Sequence, residues 1–215
     1  MAAPVFGITG PLASGKDYAS VLMRSFGIAE IDDDRVGHLI LDQKVAELTE
    51  AFGDLIISND RINRPMLGEL VFADENLLKK LNTIVHPPMV KMVRSFLDEI
   101  TGPVVINAAL LYQMGLHVFC DTVIYIWAPE EMLVKRAVDR GGLSREDVKK
   151  RLEQQKDINQ IKESADVVIE NVSSLEIFEK KITAFIQSFF GGTADAEQHL
   201  KQQQQQEANV YPQSG

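Results

Sequence analysis

Cysteine is almost absent: Cys120 is the only one among 215 residues. An intramolecular disulfide is therefore excluded, and a reducing compartment is expected. No apolar run approaches the roughly 18 residues a membrane-spanning helix needs, so no membrane partner is expected. The opening MAAPVFGITG lacks the basic flank and long apolar stretch of a secretion signal, which makes the expected location cytoplasmic. Basic residues are in deficit, 22 Lys plus Arg against 31 Asp plus Glu, for a net charge of -9. That balance excludes a dedicated nucleic-acid binder, whose footprint is basic. It leaves room for small anionic ligands, which local dipoles and a few cations can hold. Histidine is scarce, and His38, His86, His117 and His199 lack ligand spacing to one another, so no zinc-type site is expected. No internal repeat is present. What remains is ordinary globular composition, 45% apolar and 25% charged, long enough for one domain with an insertion.

Short β-favouring runs recur along the chain: Pro4 to Thr9, Ile28 to Ile31, Pro103 to Asn107, Thr122 to Ala128 and Val167 to Ile169. The third and fourth are continuous and β-branched, as in the interior of a parallel sheet covered on both faces. Helical spacing follows Gly15 and returns over Met89 to Ile100, Glu131 to Val138, Ser144 to Gln155 and Leu175 to Phe189. Ser-Arg-Glu-Asp at 144–147 predicts a capped helix start. His86-Pro87-Pro88 predicts the opening of another. Strands alternating with helices predict an α/β fold with a doubly wound parallel sheet. The stretch from about Arg35 to Ile100 has no strong strand run and is expected to be a helical insertion. Past Gly191 the pattern stops, and Gln202 to Gln206 lie in a polar tail expected to be flexible or a solvated helix.

Between the first strand and the first helix stands Gly10-Pro11-Leu12-Ala13-Ser14-Gly15-Lys16-Asp17, which matches the G-x-x-x-x-G-K part of the phosphate-loop pattern. The glycines let successive backbone N–H groups turn toward one centre, and the helix N-terminus adds positive potential. Lys16 supplies a mobile cation for the β- and γ-phosphates. The pattern next asks for a hydroxyl residue to ligate Mg²⁺, and this chain has Asp17 instead. Its carboxylate can also bind Mg²⁺ through oxygen, at the expense of a negative charge beside the phosphates.

Asp32, Asp33 and Asp34 follow the second strand run. At a strand's carboxyl end such acids can accept a hydroxyl proton or hold Mg²⁺ through water; they also suit a solvated helix cap. If the strand continues through them, Asp32 and Asp34 share a side and Asp33 points elsewhere. Further on, Lys135, Arg136, Arg140, Arg145 and Lys149 to Arg151 gather cations in an acidic chain, with Gly141 and Gly142 as a hinge. An arginine on such a segment can neutralise charge developing in phosphoryl transfer, and Arg140 and Arg136 are the candidates. Cys120 and Trp127 read as packing residues.

With these motifs in order, the chain resembles the dephospho-coenzyme A kinase family from about Val5 to Phe189. The likeness is carried by GITGPLASGK, IDDDRVGHLI, RINRPMLGELVF, LNTIVHPPMV, ALLYQMGL, VIYIWAPEEMLVKRAVDRGGLSREDVKKRLEQQ and ADVVIEN. The resemblance implies a phosphate-loop kinase core (1–34, 101–134 and 158–190), a helical coenzyme A domain (35–100) and a short helical lid (135–157), ahead of the tail (191–215). It implies ATP with Mg²⁺, dephospho-coenzyme A as acceptor, and phosphorylation of the ribose 3′-hydroxyl to give coenzyme A and ADP. By the same resemblance Pro11, Leu12, Ala13, Ser14, Gly15, Lys16, Asp17 and Arg136 hold the nucleotide, with Asp17 toward the metal. Asp34 is the general base with Asp32 assisting, Arg140 is the lid arginine, and Arg64 and His86 shape the acceptor side with Asp34. A monomer or weak homo-oligomer is expected.

Three departures from the family stand out. Asp17 replaces the hydroxyl residue, Ala109-Leu110-Leu111-Tyr112-Gln113 lacks the family's proline and closing glutamate, and His38 stands where arginine is common. An acid gained at Asp17 can compensate for the one lost at Gln113. Two other readings stay open: a diverged nucleotide- or coenzyme A-binding protein without turnover, and a phosphate-loop kinase with another small acceptor.

Overall fold

A computed structural model describes residues 3–155 and 157–190. The glutamine-rich tail lies outside the described residues. In chain order, strand β1 (Val5–Thr9) leads to helix α1 (Lys16–Ser25), β2 (Ala29–Asp32), α2 (Asp33–Gln43) and α3 (Val45–Phe52). Two short strands follow, β3 (Ile57–Ser58) and β4 (Arg61–Ile62), then α4 (Arg64–Ala73) and α5 (Glu75–Glu99). The remainder is β5 (Val104–Asn107), β6 (Thr122–Trp127), α6 (Glu130–Asp139), α7 (Arg145–Gln154), α8 (Asp157–Ser164), β7 (Val167–Glu170) and α9 (Leu175–Phe190). The chain forms two compact units, one made of the residues up to Ile31 and from Leu97 on, the other of Asp32–Phe96.

The first unit is built on a five-stranded sheet of order β2-β5-β1-β6-β7. β1 runs parallel to both β5 and β6, and β6 parallel to β7. The fold is therefore α/β with a parallel sheet, as the five apolar runs predict. All four residues of β5 are buried, which is why its sequence does not alternate. Phe6 and Ile8 of β1 pack with Ala19 and Met23 of α1 and with Phe178, Ile182 and Ile186 of α9. The Phe6 ring also meets Phe185 and Phe189 edge-on, at 5.8 and 5.0 Å between centroids. After β1 the chain passes to β2 on one side, and after β5 it passes to β6 on the other. The crevice at the carboxyl ends of β1 and β5 is thus a topological switch point, where open α/β sheets bind ligands.

Helices α6 and α7 are separated by Gly141 and Gly142, both left-handed at φ +83° and +84°. Ser144 accepts from the Asp147 N–H, the cap that 144–147 predict, and the Asp147 carboxylate accepts from Ser144 N–H, which completes a capping box. Val148 and Leu152 of α7 pack on Val134 and Ala137 of α6 and on Leu12 and Ala13.

The second unit departs from the helical expectation twice. β3 and β4 form an antiparallel hairpin, with Ile57 opposite Ile62. Its turn is Asn59-Asp60, both at positive φ (52° and 60°), which is the backbone a two-residue hairpin requires and which Asn and Asp tolerate. The strands are two residues each, too short for periodicity to register. The second correction concerns His86-Pro87-Pro88, which lies inside α5 instead of opening a helix. Two prolines remove two helical N–H donors. Even so, Val85, Met89, Val93 and Phe96 keep one buried stripe running across them. Burial of that continuous face outweighs the missing bonds. Among the described residues, no helix is long and apolar enough to cross a membrane.

Candidate active site

The turn after β1 needs its glycines. A Cβ on Gly10 would lie 2.5 Å from the Ile126 carbonyl oxygen. One on Gly15, at φ +104°, would lie 2.5 Å from Asn171 Nδ2. Ala13 is also left-handed, at φ +61°, and Ser14 N–H closes a turn on Pro11 O at 3.0 Å. Gly15 is the N-cap of α1, and the N-terminus of a helix favours negative charge. The Ser14 hydroxyl is buried and without a hydrogen-bond partner.

Distant residues brace this loop. Asn171, just after β7, donates from Nδ2 to Ser14 O at 2.8 Å, and its N–H donates to Trp127 O at 2.8 Å. Arg136 Nη2 donates to Asn171 O at 3.0 Å and to Asn171 Oδ1 at 3.4 Å, while Arg136 Nη1 is buried with no partner. Leu12 N–H donates to Gln155 Oε1 at 3.1 Å. A cavity of about 330 Å³ beside Pro11 lies between Trp127–Glu130 and the α7 residues Lys149 and Leu152. Lys16 and Asp17 do not line it.

Lys16, 13% exposed, donates from Nζ to Asp17 Oδ1 at 2.6 Å and to Asn107 Oδ1 at 3.4 Å. Asn107, at the end of β5 and only 4% exposed, donates from Nδ2 to Asp17 Oδ1 at 3.3 Å and to Glu30 Oε1 at 3.1 Å. Glu30 also accepts from Ser20 and pairs with Arg24 at 3.2 Å. Partial burial works to raise the Asp17 carboxyl. The Lys16 ammonium, with its hydrogen bond, outweighs that, joined by the Asn107 bond and the charge of Arg140, and holds Asp17 below the usual carboxylate range. Asp17 is thus an ionised oxygen donor beside the loop lysine. Among the described residues no group of three or more His, Cys, Asp or Glu could hold a metal by itself.

Arg140 is exposed at the C-terminal cap of α6, its N–H donating to Arg136 O at 3.2 Å, immediately before the two glycines. Gln113 is exposed in the turn after β5 and makes none of the contacts around Asp17. Cys120 is half-buried against Gly7, and burial pushes its thiol up to about 12, with Asp121 and Asp166 adding to the shift.

The second unit carries the other candidates. The aspartate run corrects the alternation expected of it, because β2 ends at Asp32 and α2 begins at Asp33. Asp32 Oδ1 accepts from Asp34 N–H at 3.0 Å and Arg35 N–H at 3.4 Å, the bonds of an N-cap. Asp33 is buried and Asp34 is exposed in the first turn of α2. The cap wins because a strand extended through Asp34 would leave those helix amides unsatisfied. Arg64 opens α4 and pairs with Asp42 at 3.0 Å. His86, half-buried in α5, is held below its ordinary range by burial. His38 is exposed on α2.

Sequence reading missed Asn107, Glu30 and Asn171. Two of the three had a signal: Asn107 and Asn171 are the polar residues at the carboxyl ends of strand runs, where α/β sheets place ligand-facing groups. Glu30 inside a short apolar run had none.

A family model described as dephospho-CoA kinase matches residues 4–176. A dephospho-CoA kinase of Carboxydothermus hydrogenoformans is 32% identical over 194 residues, covering 86% of this chain and 94% of the relative. Among solved structures, a Thermus thermophilus protein superposes with a TM-score of 0.75 at 31% identity, covering 87% of this chain and 98% of its own. A dephospho-CoA kinase from Campylobacter jejuni superposes with a TM-score of 0.66 at 29% identity, covering 86% and 96%.

Proposed function

The chain belongs to the dephospho-CoA kinase family, and from that premise we propose how its residues divide the work of phosphorylating dephospho-coenzyme A. The protein transfers the γ-phosphoryl of ATP to the ribose 3′-hydroxyl of dephospho-coenzyme A, giving coenzyme A and ADP, the last step of coenzyme A synthesis. The observation that carries this reading is the family match over residues 4–176, which takes in the loop, the aspartate run and the glycine-hinged arginine together.

Phosphoryl transfer is mostly positioning and charge neutralisation. The loop from Pro11 to Gly15 and the first-turn amides of α1 bind the β- and γ-phosphates. Lys16 exchanges its ion pair with Asp17 for those phosphates, which leaves the Asp17 carboxylate for Mg²⁺. Asp17 would hold Mg²⁺, which would supply positive charge to the phosphate oxygens. Arg140 adds a second positive charge to the migrating group, and Arg136 offers its unpartnered Nη1 to the nucleotide. Asp34 accepts the proton of the attacking hydroxyl, while Asp32, through its cap bonds, fixes the Asp34 backbone. Arg64 and His86 contribute to the acceptor side.

The test is ADP release by the purified protein with Mg²⁺-ATP and dephospho-coenzyme A, against controls with no acceptor, with adenosine monophosphate and with coenzyme A. Release only with dephospho-coenzyme A, with coenzyme A identified by mass, is the expected result. Nucleotide binding without release overturns the activity; release with another acceptor overturns the substrate.

A further inference from the structure

P-loop NTPases hold Mg²⁺ with a hydroxyl on the residue after the loop lysine and with a strand-borne aspartate. In this chain the first position is Asp17. The strand beside β1, β5, ends at the switch point in an uncharged residue, Asn107. We propose that Asp17 and Asn107 have exchanged these duties: the metal-facing carboxylate comes from helix α1, and the strand-end residue is the amide that aims it. The inference rests on the kinase reading and names two residues within its nucleotide site.

Three observations carry it. Asn107 Nδ2 and Asp17 Oδ1 are 3.3 Å apart, so the two side chains end at one point and either could deliver an oxygen there. Lys16 Nζ touches both, at 2.6 and 3.4 Å. Glu30 Oε1 lies 3.1 Å from the same Asn107 nitrogen. An aspartate at 107 beside Asp17 would therefore set three carboxylates around one point with Lys16 in contact with two of them. Such like charges repel strongly at this range. The amide instead donates to both acids at once. Each substitution thus makes the other tolerable. Asp17 answers to Asn107 and not to Gln113, which stands exposed in the following turn.

The test compares wild type, Asp17→Ser, Asp17→Asn, Asn107→Asp and the double variant Asp17→Ser/Asn107→Asp. Calorimetry measures the affinity of each for a non-hydrolysable ATP analogue, with Mg²⁺ and with EDTA. ADP release with dephospho-coenzyme A is followed in parallel. Both Asp17 variants should lose the tightening that Mg²⁺ gives wild type, by on the order of 10- to 100-fold. The double variant should regain it to within a few fold. Asn107→Asp alone should weaken binding in EDTA, where nothing offsets the added charge. If Asp17→Ser fails to fold by thermal melting, Asp17→Asn and Asp17→Asn/Asn107→Asp carry the same comparison. A double variant no better than its Asp17 parent overturns the exchange, as does an Asp17 variant with wild-type Mg²⁺ dependence. Wild type that follows this binding pattern yet releases no ADP supports the exchange and overturns the kinase reading instead. Normal turnover with no rescue does the reverse.

Discussion

The phosphate loop and the aspartate run both stand where a strand hands over to a helix, yet they are held in opposite ways. The loop depends on residues far along the chain: Asn107, Gln155 and Asn171 each bond to it or to its lysine. In the aspartate run the bonds are local, with Asp32 capping the helix that begins at the next residue through the N–H groups of Asp34 and Arg35. The first arrangement makes geometry a property of the whole sheet. The second includes bonds between residues only two and three positions apart. A phosphate cradle gains from this, because several amides must stay aimed at one point while charge moves. In the role proposed for it, Asp34 needs only its one carboxylate in place.

Perturbations that separate the two modes can be ranked. Lys16→Ala removes the cation itself and should lower kcat by on the order of 10³-fold, as loss of a charge-stabilising donor does; steady-state kinetics with saturating ATP checks it. Asp34→Asn should lower turnover by about 10²-fold with ATP affinity nearly kept, and near-normal turnover removes Asp34 from the role. Asn171→Ala breaks a brace without touching the loop sequence and should cost roughly 10- to 100-fold in kcat/KM for ATP. Asn171→Asp keeps the acceptor for Arg136 but cannot donate to Ser14, so it should stay low. Full activity in that variant breaks the contrast between the two regions. Asp32→Ala should lower stability by about 1 kcal/mol through the lost cap, read as a shift in the denaturation midpoint.

The smallest effect concerns pH. The His86 pKa is depressed in the folded chain, so the folded state binds fewer protons than the unfolded one once pH drops below about 6.5. Its contribution is full above that value and is lost as pH falls. His86→Asn should flatten the stability profile between pH 7 and 5, and an unchanged profile removes His86 as its source.

The same contrast decides what sequence could reveal. The sheet was legible because β5 and β6 are uninterrupted apolar runs, buried throughout or nearly so. The N-cap at Ser144 was legible because its partner is three residues away. Asp32 as the cap was not singled out, because the aspartate run suits a helix cap and a strand-end carboxylate cluster alike, and the alternation expected of it did not hold. The braces were not: Asn171 and Ser14 are 157 positions apart, and no local pattern links them. The hairpin failed on length, and the double proline was misread because a breaker signal carries no information about the buried stripe it interrupts.

The packing of α9 on β1 and α1 has a consequence for synthesis. Phe6 and Ile8 emerge from the ribosome early, but the side chains that cover them, Phe178, Ile182 and Ile186, come near the end of the described chain. At roughly 5–20 residues per second, the first strand waits on the order of ten seconds or more for its cover. The Asp32–Phe96 unit has all of its own contacts available long before then. The nascent chain therefore passes through a stage in which the Asp32–Phe96 unit has its own contacts available while the unit built on the sheet still exposes β1, its central strand.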